Sequence, residues 1–156
     1  MTLSLLPISE ASAEVLASLQ RACFPKDPWD DASLCAIIRM AGFFGLGAYS
    51  GSVAVGYALA LDLKAECEIL SLGVLPAMRR CGAARALLAA ISAEARRRGA
   101  PYLLLEVAAD NIAARTLYRE FGFATIGCRR NYYRRDDNFV DALVLRLALA
   151  DAPLPA

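Results

Sequence analysis

The chain has 156 residues, 58% hydrophobic and 21% charged, which suits one globular domain with a real core and excludes a disordered chain. Its formal net charge of +1 leaves no bulk basic field for gripping nucleic acid or a membrane surface. Histidine is missing altogether, which removes the commonest general base, the commonest zinc ligand and every Ser-His or Cys-His nucleophile.

The first element is a strand, "LSLLPI" (3–8). The stretch "MTLSLLPISEAS" carries no basic leader, so it does not resemble a secretory signal. Ser9 or Ser12 can cap a helix that runs to about Cys23, with Val15, Leu16 and Leu19 on one face. "FPKDPWDD" (24–31) is a proline-broken loop, and "DASLCAIIRMAG" predicts a short second helix ending at Gly42. "FFGLGAYS" and "SVAVGYALALDL" predict two strands joined at Ser50–Gly51–Ser52. A further strand, "ECEILSLGVLP", closes at Pro76.

"LPAMRRCGAARALLAAI" then opens a helix to about Arg98, stopped by Gly99 and Pro101. "PYLLLEVAA" (101–109) is nearly all apolar, as in a strand covered on both faces. "DNIAARTLYREFG" is a helix capped by Asp110 or Asn111 and ended by Gly122. "FATIGCRRNYYRRDDNFVDALVLRLAL" reads as two strands around a polar turn near Asp136–Asn138. The expected domain covers residues 1–150, with 151–156 as a flexible tail. Helices interrupting a meandering sheet predict a mixed α/β (α+β) sandwich.

Apolar runs are broken by charge well before the roughly 20 residues of a membrane span. Five scattered cysteines with no C-x-x-C pair fit a reducing cytoplasm better than a disulfide framework or a zinc site. Acid–base chemistry therefore falls to carboxylates, tyrosine, cysteine or water.

The most informative stretch is the polar knot between Pro76 and the helix that follows. A helix start leaves several N–H groups unpaired, and these, with the helix dipole and Arg79, Arg80 and Arg85, favour an anion. Gly82 lets a phosphate approach the backbone. The plain alternative is a chain reversal that needs a small residue. "RRCGAARA" lacks the G-K-[ST] of a P-loop and the three glycines of a dinucleotide fingerprint.

Arg79, Gly82 and Ala84, after a strand and opening a helix, form an R-x-x-G-x-A pattern that resembles the acetyl-CoA loop of the GNAT N-acetyltransferases. "LLLEVAADNIAARTLYREFGF" (103–123), "RRNYY" (129–133), "VDALVL" and "FPKDPW" together resemble the ribosomal-protein-alanine N-acetyltransferase branch over nearly the whole chain. Ala108 and Asp110 stand where that branch usually has Arg and often has Ser, which bears on the peptide accepted. The resemblance implies a mixed sheet of about seven strands flanked by about four helices, splayed between its fourth and fifth strands. It also implies acetyl-CoA as co-substrate, no metal, a protein N-terminus as acceptor, no nucleic acid, no membrane, and a cytoplasmic monomer. The simplest acceptor is the N-terminal alanine of a small-subunit ribosomal protein.

The implied cofactor set is Leu72, Gly73 and Val74 on the splayed strand, then Arg79, Arg80, Cys81, Gly82, Ala83, Ala84 and Arg85 at the loop and helix start, with Asn111, Ala114 and Tyr118 from the later helix. Gly73 is expected to mark a bulge or a close approach by another backbone. Glu106 interrupts an apolar strand on the face of Leu104; an apolar setting raises a carboxyl pKa and suits a base near neutral pH, while the alternative is a structural pair with a buried arginine. A protein α-amino group, at about pKa 7.7–8.0 against about 10.4 for lysine, needs only such a modest base.

Tyr118 can protonate a departing thiolate, or can be a core tyrosine with its hydroxyl at the rim. Asn111 can cap its helix, touch the cofactor, or both. Cys81 lies at a helix start that favours a thiolate, but direct transfer in the family and the lack of histidine weigh against a covalent role. Trp29, Tyr132 and Tyr133 line a peptide groove or cover the core edge. Arg96–Arg98 is expected to be a solvated helix end. Two rival functions are an acetyltransferase for lysine side chains or small amines, and a CoA-binding module without activity.

Overall fold

The structure is a computed structural model, described here for residues 2–149; the proposed tail at 151–156 lies outside the described residues. Its elements follow in chain order: β1 (Leu3–Pro7), α1 (Ala13–Cys23), α2 (Asp31–Ile38), β2 (Phe43–Ser50), β3 (Val53–Asp62), β4 (Cys67–Val74), α3 (Ala83–Arg97), β5 (Tyr102–Ala108), α4 (Ile112–Phe121), β6 (Ala124–Arg135) and β7 (Asn138–Ala148). The seven strands make one sheet in the order β1-β2-β3-β4-β5-β7-β6. All neighbours are antiparallel except β4 and β5, which α3 joins as a parallel crossover.

The β4–β5 ladder is short. It pairs Cys67 with Leu103, Glu68 with Leu104 and Ile69 with Leu105, and then stops. Leu72, Gly73 and Val74 continue β4 bonded to β3 alone, while β5 continues through Glu106 bonded to β7. The sheet therefore splays between its fourth and fifth strands, as the family resemblance implied. A bulge at Leu70 shifts the β3–β4 register between Leu59–Ser71 and Ala60–Ile69, and it sits where the two strands part. The bulge expected at Gly73 is thus three residues earlier. Gly73 is needed for another reason: a Cβ there would lie 3.0 Å from the Tyr57 ring and 3.1 Å from Cys23 Sγ. Side chains, not a backbone, make that close approach.

Alternation along the strands sorts side chains to two faces. One face is apolar and covered by α3 and α4: Leu87, Leu88, Ile91 and Ala95 pack with Ala58, Ala60, Ile69, Leu103, Leu105 and Tyr118. Alanines and leucines at helical spacing give α3 this one-sided stripe. On the other face, Leu16, Ala17, Leu19 and Cys23 of α1 and Leu34 of α2 pack on Tyr57 and Leu59. A polar triad is buried there: Gln20 Nε2 donates to the Tyr57 hydroxyl at 2.9 Å, and that hydroxyl bonds Ser71 Oγ at 2.8 Å.

Three further expectations change. Helix α2 ends at Ile38, and Gly42 lies beyond it at φ +85°, where a Cβ would strike the Asp62 carbonyl oxygen; the glycine lets the start of β2 lie against the end of β3 rather than ending a helix. Strand β5 is fully covered only toward α3, for Leu104 and Glu106 are half-buried. The arginines at the end of α3 are also less free than expected, since Arg98 pairs with Glu94 and Asp62 and stacks on Phe44.

Candidate active site

A cavity of about 730 Å³ opens between the start of α3 and α4 and reaches the end of β4 that β5 leaves unpaired. It is lined by Leu72, Gly73 and Val74, by Arg79, Arg80, Gly82, Ala83, Ala84 and Arg85, and by Asn111, Ala114 and Tyr118. Of the expected cofactor set only Cys81 is absent from the lining; its thiol donates instead to the Met78 carbonyl. Cys23 and Phe24, from the end of α1, also line the cavity. Cys23 also belongs to the core on the opposite face, so the end of α1 closes the cavity beside Gly73.

The loop before α3 has the local geometry of an anion socket. Arg80 and Gly82 both take left-handed backbone angles, φ +64° and +88°, and a Cβ on Gly82 would meet nothing within 4 Å. Glycine is there for its conformation, and its surroundings are open. The first intrahelical bond runs from Ala86 N to Gly82 O, so the N–H groups just before it point out of the helix start without intrahelical partners. Arg79 Nε donates to the Val74 carbonyl, tying the loop to the end of β4. Arg85 reaches Glu120 of α4 at 3.1 Å and bridges the two helices that frame the cavity. Asn111 caps α4 through its side-chain oxygen, which accepts from Ala114 N at 3.2 Å.

Tyr118 is 7% exposed, edge-on to Phe123, and part of the cavity wall. Burial pushes its phenol up to about 12, with a further push from Tyr133. The hydroxyl therefore keeps its proton throughout the neutral range and is available as a donor.

Glu106 lies on the other face. Leu105 and Val107 point to the α3 core, so Glu106 between them points away, and it is not part of the cavity wall. It sits one residue past the last β4–β5 rung. Its setting is not the apolar pocket expected: the carboxylate pairs with Arg129 of β6 at 3.0 Å, and the Arg129 side chain is itself 58% exposed. Tyr133 connects the two faces. Its phenol is raised by burial first and by the Glu106 charge second, and it in turn raises Tyr118.

Tyr132 stands edge-on to Tyr133 with ring centroids 5.1 Å apart and is half-exposed. Both belong to an irregular stretch in which the ladder to β7 jumps from Arg129–Ala142 to Tyr133–Val140. Asn131 at its crest is left-handed, φ +54°, and its N–H donates to Asp141 at 2.9 Å. Trp29 is elsewhere: it packs against the α1-side core, its backbone N–H donating to Gln20 Oε1. Lys26 and Asp136, 4.0 Å apart, bring the α1–α2 loop to the β6–β7 turn, and Asp110 pairs with Arg135 beside it.

The residues that sequence reasoning missed are Arg129 as the partner of Glu106, Cys23 and Phe24 as cavity wall, and Glu68. Arg129 lay inside the quoted "RRNYY", but nothing local shows that it reaches across β7 to β5. Among the described residues, no group of His, Cys, Asp or Glu is arranged to hold a metal ion, and no helix is long and apolar enough to cross a membrane.

The family model for the acetyltransferase (GNAT) family matches residues 13–123. The chain belongs to the GNAT acetyltransferase family. Among its relatives, the N-alpha-acetyltransferase RimI of Mycobacterium tuberculosis is 38% identical over 132 residues, covering 81% of this chain and 82% of that one. The [Ribosomal protein bS18]-alanine N-acetyltransferase of Escherichia coli is 39% identical over 85 residues, covering 54% of this chain and 57% of the relative, so that match spans little more than half of either. The crystal structure of the ribosomal-protein-S18-alanine N-acetyltransferase from Escherichia coli superposes with a TM-score of 0.90 at 24% identity, over 97% of both chains. That likeness confirms the GNAT fold, with its splayed mixed sheet and flanking helices.

Proposed function

We propose that this GNAT chain is an acetyl-CoA-dependent N-acetyltransferase for the α-amino group of a protein N-terminus, with the N-terminal alanine of a small-subunit ribosomal protein as acceptor. The observation that carries the reading is the cavity along the free end of β4. Its lining of loop residues, arginines and the Leu72–Val74 edge suits the cofactor, and Glu106, on the other face and one residue past the last β4–β5 rung, stands where the two strands part. The family match and the two acetyltransferase relatives support the same reaction.

The residues present fit coenzyme A. The unpaired amides and arginines from Arg79 to Arg85 hold the diphosphate, and the Leu72–Val74 edge, free of β5, offers backbone groups to an extended amide-bearing arm. Asn111 and Ala114 flank that arm. When bound, acetyl-CoA supplies the activated acetyl group as a thioester. Glu106, through water, takes the proton from the acceptor amine. Tyr118 gives its proton to the departing thiolate, a role that its raised phenol suits. Arg129 holds the Glu106 carboxylate in place. Tyr132 and Tyr133 form one wall of the acceptor groove, while Trp29 braces the opposite loop from beneath. In this reading residues 1–150 are one catalytic domain, working as a cytoplasmic monomer.

The test compares acetyl transfer to an alanine-initiated peptide and to its Nα-blocked, lysine-bearing twin, together with coenzyme A calorimetry. Transfer to the free α-amine alone is expected. Transfer to the blocked twin would instead make the chain a lysine acetyltransferase. Coenzyme A binding with no transfer to either would make it a binding module.

A further inference from the structure

The acceptor face holds a second carboxylate that the reaction as described leaves unused. Glu68 sits on β4 opposite Leu104 in the last complete stretch of the β4–β5 ladder. Parallel partners share a face, so Glu68, Leu104 and Glu106 line up on the side of the sheet away from α3. Cys67 and Ile69, on either side of Glu68, point into the α3 core, which fixes that direction. Glu68 is half-buried, yet its carboxylate makes no hydrogen bond or salt bridge among the described residues. The charged groups facing it are Glu106 of β5, Glu66 just before β4 and Arg129 of β6. Burial raises its carboxyl pKa first, and the Glu106 charge raises it second.

Two carboxylates on neighbouring strands repel each other unless a cation lies between them. Arg129 supplies one positive charge and spends it on Glu106 at 3.0 Å. Glu68, Glu106 and Arg129 together carry one uncompensated negative charge at the mouth of the strand gap. A peptide α-ammonium brings one positive charge and three N–H donors. We propose that Glu68 is the counter-ion that seats the acceptor's α-ammonium group beside Glu106, so that Glu68 governs acceptor binding and Glu106 governs proton removal. This rests on the α-amine reading given above. The ammonium docks as the cation, loses one proton to Glu106 through water, and attacks as the neutral amine. Glu68 ends the cycle unchanged.

The test is steady-state kinetics of the full chain with an alanine-initiated peptide and saturating acetyl-CoA, comparing wild type, Glu68→Gln and Glu68→Asp. Glu68→Gln keeps the shape and removes the charge. Its acceptor KM is expected to rise at least about 10-fold, with kcat within about 3-fold and coenzyme A affinity unchanged; Glu68→Asp recovers part of the loss. Acceptor KM in the wild type is expected to rise as pH falls, because protonation discharges Glu68, and that rise is absent in Glu68→Gln. An unchanged KM in Glu68→Gln, or a fall in kcat alone, overturns the assignment while the wild-type rate leaves the α-amine reading standing. A wild type that acetylates no α-amine overturns both.

Discussion

The two faces of the sheet are built from different materials. Toward α3 the core is mostly alanine, leucine, isoleucine and valine, with Phe44, Cys67, Tyr118 and Phe123 among them. Toward α1 the same strands bury Gln20, Tyr57 and Ser71 in one hydrogen-bonded set and leave Glu68 and Glu106 along the strip beyond it. A dry face is held by area and packing and tolerates little change of volume. A polar face is held by partners, each fixing the others' directions. The comparison assigns stability mainly to one side and positional control mainly to the other.

The sharpest way to break that division is Glu106→Gln. It is expected to lower kcat by about 10²–10⁴-fold with coenzyme A affinity and melting temperature little changed; an unchanged rate near neutral pH would remove Glu106 as the base. In the same pH series no alkaline loss from Tyr118 is expected below about pH 10, because its phenol, raised to about 12 by burial, keeps its proton until pH passes through that value. Next in size is Leu88→Ala on the dry face, expected to cost about 2–5 kcal/mol in a denaturant titration while kcat and both KM values stay near wild type.

Tyr57→Phe on the polar face is expected to cost less, about 1–2 kcal/mol, since Gln20 and Ser71 still bond each other at 3.2 Å. It should nonetheless shift the emission of Trp29, the sole tryptophan, because Gln20 also accepts from the Trp29 backbone N–H and so helps to place that residue. Leu88→Ala should leave that emission alone. The smallest effect belongs to Glu94, whose carboxyl is held down at about 2 by hydrogen bonds from Arg97 and then Arg98, against some burial. A lowered pKa stabilises above its unfolded value of about 4.5 and is lost as pH falls toward about 2. Glu94→Gln is therefore expected to cost about 0.5 kcal/mol at pH 7, the Arg97 side chain being 72% exposed and screened by solvent, and little once pH has fallen to about 2.

Local signals in the chain marked most elements well, because each has a local cause. Gly82, Gly99 and Gly122 punctuate α3 and α4, Gly51–Ser52 turns β2 into β3, and Asn111 caps α4 as read. Gly42 misled because its constraint is Asp62, twenty residues on, and the chain alone does not display the end of the partner strand that lies against it. The site divides in the same way. The loop at Arg79–Arg85 and Tyr118 came from contiguous motifs, and all but Cys81 of that loop lines the cavity. The salt bridge between Glu106 and Arg129 needs the strand order β5-β7-β6, which no short pattern encodes. Glu68 passed unnoticed because a single acidic residue in a strand looks like ordinary surface until its neighbour across the ladder is known.

The parting of β4 from β5 has one more consequence. Because the aperture is made by diverging main chain inside a continuous sheet, its width is a property of the scaffold and not of any movable flap. Substitutions of side chains on its rim can change what is admitted without altering how far the two strands stand apart. Recognition and reach can then diversify separately among chains that share this frame.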